Sequence, residues 1–154
     1  MTKQRKSRLL RQPHFQIGKD LAVLKFTHTT GYYMGQNKVY MIEGDIIVIE
    51  GIGHQTYEAV KYVEIESAKL IVKLRAEQKP VRIFIELGEV ASHEIGGRKA
   101  GFELLKALDY DKIVMTGANM MLKYVVILII KASGKEDKIK VMDDRGKAME
   151  WIRL

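Results

Sequence analysis

The stretch that decides the fold runs from Lys79 to Leu108, KPVRIFIELGEVASHEIGGRKAGFELLKAL. Pro80 stops whatever helix precedes it. Val81–Leu87 is rich in β-branched residues and predicts a strand. A helix is expected from about Glu94 to Leu108. Between them, Gly88 to His93 reads as a strand-to-helix loop, with Glu89 and Glu94 flanking it and Gly96-Gly97 just beyond.

Working outward, Gln55–Gln78 reads as one long helix, with Val60, Val63, Leu70, Ile71 and Leu74 at helical spacing around Ser67. Glu58, Lys61, Glu66, Lys69 and Lys73 lie towards its other face. Upstream, Val39–Glu43 and Ile46–Glu50 are two apolar runs joined by Gly44-Asp45, a hairpin signal, and Gly51 and Gly53 are expected to end the second run. Downstream come a short strand (Lys112–Met115) and a helix (Ala118–Lys131) bracketed by Gly117 and Gly134. A strand (Ile139–Met142) and a last helix (Asp144–Arg153) follow, the helix capped by Asp143 or Asp144. The order from residue 38 is β-β-α-β-α-β-α-β-α. That alternation predicts an α/β domain over residues 38–154, with a mostly parallel sheet, one antiparallel edge hairpin and helices packed on it. Residues 1–37 are expected to be a basic, disordered tail, with an extra strand considered at Leu21–Phe26 before a turn at Gly31.

The bulk numbers agree with one soluble domain: 154 residues, 47% apolar, 29% charged and no cysteine, so disulfides and thiolate chemistry are absent. The net charge is +7, of which Lys3, Arg5, Lys6, Arg8 and Arg11 in the first 12 residues supply +5. A basic arm of that kind can touch nucleic acid or anionic lipid. The near-neutral remainder, without basic–aromatic interleaving, argues against a nucleic-acid binder. The tail is not expected to be a secretory signal. The most apolar run, Met120–Ile130, has 11 residues and is too short to span a bilayer. A cytoplasmic location is expected.

Motifs for chemistry are weak. Gly51-x-Gly53 follows a strand, but Thr56 stands where a dinucleotide loop needs its third glycine. His93-Glu94 begins like a zinc-protease helix, yet Gly97 occupies the second ligand position. His14, His28, His54 and His93 are scattered, so no metal site and no cofactor are expected. Ser67, Ser92 and Ser133 lack a neighbouring His with an orienting acid, and Ser92 and His93, adjacent on a strand, would face opposite ways. Glu89 and Glu94 suit acid–base work less well than a helix start, where they favour its positive end. An enzyme is not expected. The run MMLKYVVILII says more: a peripheral helix apolar nearly all round is either deeply buried or exposes an apolar face to a partner. Met120, Met121, Tyr124 and Leu128 are the candidate interface residues.

The element order, the central strand VRIFIEL, the stretch ELGEVASHEIGGRKAGFELLKAL and the ending DKIVMTGANMMLKYVVILIIKA…KIKVMDDRGKAMEWI together resemble STAS domains, the fold of anti-sigma factor antagonists, in their looser SEC14-like branch. The resemblance covers about three quarters of the chain, from Lys38 to Leu154. In that family a serine at the start of the second helix is phosphorylated by a partner kinase, and the added charge breaks a protein–protein contact. Setting Val90 on the family's valine places Glu94 on its acid, Ile95 and Gly96 on its two serines, and Gly97 on its glycine. The phosphoacceptor is therefore missing, and Ser92 lies three residues early. The resemblance implies a non-enzymatic regulatory module. Its partner, a kinase-like regulator or scaffold protein, would be bound by His93, Glu94, Ile95, Gly96, Gly97 and Arg98. Homodimerisation through the third helix is a variant. A small-molecule or lipid carrier with an apolar cavity is the alternative. A ligand rim at the carboxyl ends of the strands would comprise Gly88, Thr116, Gly117 and Asn119 beside His93, Glu94 and Gly97, with freed backbone N–H groups able to hold an anion. A purely structural turn at this place is the remaining possibility.

Overall fold

A computed structural model describes residues 36–154. The basic tail, the strand considered at Leu21–Phe26 and the turn at Gly31 lie outside the described residues. The elements are β1 (Lys38–Ile42), β2 (Ile46–Gln55), α1 (Tyr57–Ala76), β3 (Arg82–His93), α2 (Ile95–Ala107), β4 (Lys112–Thr116), α3 (Met120–Ser133), β5 (Ile139–Val141) and α4 (Arg145–Arg153), with one 3-10 turn at Glu136–Lys138. They form the α/β domain that the alternation predicts: a five-stranded sheet in the order β1-β2-β3-β4-β5, with β1 antiparallel to β2 and every other pair parallel.

The topology follows from chirality. Each of α1, α2 and α3 connects one strand to its immediate parallel neighbour, and right-handed crossovers moving one way across a sheet place all three on one face. The side-chain alternation of the strands records this. Ile47, Ile49, Ile83, Ile85, Ile113, Met115 and Ile139 join Val63, Ile71, Leu74, Leu104, Leu105, Leu122, Val126 and Ile130 in the larger core. The intervening Ile46, Val48, Phe84 and Val114 face the other way and meet Ala148 and Ile152 of α4. Each fully buried isoleucine contributes roughly 2–3 kcal/mol relative to an exposed one. At the outer edge Trp151 is flanked by the ammonium groups of Lys112 and Lys140, each 4.8 Å from its ring centroid.

Three features differ from the sequence reading. The β1–β2 loop has three residues, Glu43 to Asp45, because Ile42 pairs with Ile46. Gly44 and Asp45 there take φ of +87° and +57°. Asn37, placed in the tail by the sequence reading, is buried against Gln55 and belongs to the domain. The largest difference is that neither β2 nor β3 ends where glycine suggests. β2 continues through Gly51 and Gly53 to Gln55, and β3 continues through Gly88 to His93. The glycines mark register shifts instead, between Glu50 and Ile52 and between Gly53 and His54. Glycine in a strand can mark a bulge as well as an end. β4 pairs with β3 no further than Glu86–Thr116, so the last residues of β2 and β3 form a two-stranded ribbon beyond the sheet.

The opposite end of the sheet is tied by Arg75 near the end of α1. Its guanidinium donates to both carboxylate oxygens of Asp109 and of Asp111, at 2.8–3.3 Å. Asp111 also accepts from the Val81 amide at 2.7 Å. The guanidinium first, then the Val81 amide, hold the Asp111 carboxyl below its ordinary value against the opposing effect of burial. Asp109 is likewise lowered, first by Arg75. For a carboxyl whose folded pKa is depressed, the stabilisation is complete above the unfolded value, about pH 4, and is lost as pH falls through the folded one. Thermal melts should therefore show Tm falling from pH 5 to pH 2, and Asp111→Asn should flatten that dependence. An Asp111→Asn profile as steep as that of the parent chain would refute the assignment.

Candidate functional site

The stretch read as a loop is the tip of the β2–β3 ribbon, and both α1 and α2 start from it with a single intervening residue. Thr56 caps α1, its Oγ1 accepting from the Ala59 amide at 3.1 Å. Glu94 occupies the N-cap of α2 with no side-chain bond to that helix; its carboxylate instead accepts from the Tyr57 amide of α1 at 3.4 Å. Two constraints hold the tip together. The first is a buried amide pair. Asn37 Nδ2 donates to Gln55 Oε1 at 2.8 Å and Gln55 Nε2 donates to Asn37 Oδ1 at 3.0 Å. Further bonds reach the Ala59 carbonyl and the Ile52 amide and carbonyl. Such a network stabilises because its buried polar groups find partners. The second is the close approach of α2. A Cβ on Gly97 would lie 2.2 Å from the Gln55 carbonyl oxygen, so only glycine lets the helix start here.

Of the six predicted partner-binding residues, His93, Glu94, Ile95, Gly96 and Arg98 reach the surface to differing degrees, while Gly97 is buried in the contact just described. Ile95 is 82% exposed in the first turn of α2. The apolar helix α3 also leaves one side uncovered: Met120, Met121, Tyr124 and Leu128 are 66–79% exposed, while Leu122, Val126 and Ile130 enter the core. Because β3 and β4 are parallel, α2 and α3 both begin at the carboxyl end of the sheet.

The ribbon also brings together groups that sequence reasoning kept apart. His54 and Ser92 are register partners across β2 and β3, with His54 Nδ1 2.6 Å from Ser92 Oγ. His54 Nε2 lies 3.8 Å from Glu94 Oε2. A serine, an imidazole and a carboxylate are thus neighbours, through an extension of β2 that Gly51 and Gly53 concealed. They lie on open surface, and neither of the two concavities described below is lined by any of the three. His93 instead accepts from Arg98 Nε at 3.1 Å. Among the described residues no cluster of His, Asp and Glu is arranged to hold a metal ion.

The predicted ligand rim divides. Gly88, Thr116 and Gly117 line a polar cleft with Glu50, Glu86, Glu89, Asp143 and Arg145, whereas His93 and Gly97 line a different cavity. Four carboxylates and one guanidinium line that cleft; Glu50 and Asp143 are further paired with Lys38 and Lys123, so no lining cation stands free of a carboxylate to receive an anion, contrary to the expectation drawn from its glycines. Arg145 is moreover paired with Glu86. Asn119 spends its side chain capping α3, accepting from the Leu122 amide at 2.9 Å. Gly117 is required by packing: its φ is +79°, and a Cβ there would lie 2.8 Å from the Gly88 nitrogen.

The second concavity lies between the sheet and α1, α2 and α3. Its volume is about 140 Å³. Its wall is almost wholly apolar, with Leu87, Val90, Leu104, Leu122, Val126 and Ile129 prominent; Asn37, Gln55, His93 and Arg98 are its polar members. The carrier alternative asks for an apolar cavity lined by residues of the third helix, and Leu122, Val125, Val126 and Ile129 of α3 line this one.

No family model and no curated protein matches the chain. Solved structures do. An uncharacterized protein of the DUF3478 family from Shewanella loihica PV-4, described as having a SpoIIAA-like fold, superposes with a TM-score of 0.54 at 11% identity, over 81% of this chain and 98% of that one. The anti-sigma factor antagonist SpoIIAA in its unphosphorylated form gives 0.52 at 13% identity, over 76% and 97%. A putative anti-sigma factor antagonist from Thermotoga maritima gives 0.54 at 15% identity, over 77% and 95%. The chain has the STAS fold. At these identities the likeness concerns architecture, and the STAS fold here is set by the sheet order and by the helices that start directly from its strands. No helix of the described residues is long and apolar enough to cross a membrane.

Gly97→Ala offers the sharpest test of how the tip is held. In an open helix the change would stabilise by up to about 1 kcal/mol. Against the Gln55 carbonyl it should instead destabilise by about 2 kcal/mol or more, read from urea denaturation. A neutral or stabilising result would mean that α2 is not seated on this carbonyl.

Proposed function

We propose that the chain is a non-enzymatic interaction module of the STAS type, binding a protein partner through the start of α2. The exposure of Ile95 is the observation that carries this reading. A large apolar side chain in the first turn of a helix, surrounded by His93, Glu94 and Arg98, gains nothing from water and suits a desolvated contact with a polar rim. Gly96 and Gly97 leave the backbone beside it accessible to a partner or closely packed, respectively. In the alignment implied by the resemblance, Ile95 and Gly96 stand where anti-sigma antagonists carry serines, so the contact would be constitutive and not broken by phosphorylation. The apolar side of α3 is a second surface available to a partner or to another copy of the chain.

The cavity favours a second reading, a carrier of a small apolar molecule. A void of this size lined by Leu, Ile and Val is comparable to an apolar cavity of about 150 Å³ that stays dry and takes benzene.

A photo-reactive amino acid at position 95 tests the first reading. It should yield a discrete crosslinked protein in cells, while the same residue at Lys147 on α4 should not. The crosslink should disappear in competition with the unlabelled chain and persist against its Ile95→Asp variant. Equal crosslinking from both positions, or competition by Ile95→Asp as effective as by the parent, would remove the start of α2 from consideration.

A further inference from the structure

The cavity between the sheet and α1–α3 has a chemical polarity of its own. No carboxylate is among its lining residues. Its polar members divide into a buried pair and a solvent-facing pair. Asn37 and Gln55 are buried and satisfy one another. His93 is half-buried, and Arg98 is exposed, the one lining residue of that class. Arg98 and His93 therefore stand on the solvent-facing border of the cavity, and apart from the Asn37–Gln55 amide pair the rest of its wall is apolar.

Arg98 is also uncommitted. The ion pairs of the described residues engage Arg75, Arg145, His54 and several lysines, and none includes Arg98. Its one side-chain hydrogen bond among the described residues uses Nε and ends on His93 Nδ1, which leaves both terminal guanidinium nitrogens as donors there. With Nδ1 accepting, neutral His93 carries its proton on Nε2, a further donor beside the guanidinium. A guanidinium held in place by an imidazole, at the opening of an apolar void, is suited to a planar anion with a hydrocarbon body.

Building on the cavity as a ligand site, we propose that it binds a small apolar carboxylic acid. The hydrocarbon part, about the size of a single six-membered ring, fills the space among Leu104, Leu122, Val126 and Ile129. The carboxylate rests on Arg98 and His93. No bond is made or broken; the site holds its ligand and releases it. The volume sets an upper limit on the apolar part, and the cationic mouth sets the preference for acids over the corresponding hydrocarbons.

The test uses the full chain with phenylacetate and toluene as probes, which share a ring and differ in charge. Binding is read by amide chemical-shift titration. Phenylacetate should bind at least tenfold more tightly than toluene at low salt, with shifts at residues 90–101 and 122–129. Arg98→Gln should cut phenylacetate affinity by at least tenfold and leave toluene affinity unchanged. Val126→Phe, which fills the void, should abolish both, its fold checked by the dispersion of the same spectra; if it fails to fold, Ile129→Phe takes its place. Binding of both probes with no effect of Arg98→Gln would overturn the acid preference while leaving a carrier of neutral molecules standing. Binding of neither probe to the parent chain would overturn both the preference and the cavity as a ligand site.

Discussion

The seat of α2 on the Gln55 carbonyl is the contact on which the tip of the β2–β3 ribbon and the start of α2 depend. Gln55 is the last residue of β2, and its carbonyl also accepts from the Glu94 amide at 3.2 Å. One peptide group therefore fixes the end of β2, the N-cap of α2 and the absence of a side chain at Gly97. Its own side chain is anchored by Asn37, which in turn bonds the Ile52 amide at the first register shift. The chain between Asn37 and Gly97 is thus closed on itself by hydrogen bonds and one steric exclusion. Everything proposed about this end, from the exposure of Ile95 to the position of Arg98, is a consequence of α2 starting at that place and no other.

The same arrangement explains why a void persists beneath α2 and α3. Interiors pack closely wherever side chains can interdigitate. Here α2 is pulled onto the ribbon by a glycine, and Gly101, one turn further, meets little more than the tip of Ile129, at 3.7 Å from a Cβ built there. A side chain at Gly51 or Gly97 would run into Val90 or the Gln55 carbonyl, so neither position can supply one to fill the space. The surface at the start of α2 and the cavity beneath it share two residues, His93 and Arg98.

Much of the fold was legible because hydrophobic period and turn residues act locally. The runs around Ile46, Ile83 and Ile113 alternate or saturate with β-branched residues, α1 repeats every three to four residues, and Asp144 caps α4 as its spacing to Lys147 allows. The reading failed where a local signal had two physical meanings. Gly51, Gly53 and Gly88 permit a strand end or a bulge equally well, and the choice depends on whether a neighbouring strand continues to offer hydrogen bonds. That is a long-range fact. Missing the bulges shortened β2 and β3, turned a ribbon into a loop, and hid the pairing of His54 with Ser92 across 38 positions of sequence.

The sequence by itself determined the alternation of strands and helices, hence the parallel sheet with its antiparallel edge, because handed connections between short elements leave few alternatives. It also determined that α3 carries more apolar surface than a peripheral helix can bury. Tertiary structure alone decided which of those residues stay outside, that Asn37 belongs to the core, and that Thr116 and Gly117 face an acidic cleft while His93 and Arg98 face an apolar cavity. The reason is common to all four. A residue's period assigns it to one side of its own element. What stands opposite that side is fixed by the sheet order and by the points at which helices meet the strands, here by a helix that can approach a carbonyl only through a glycine.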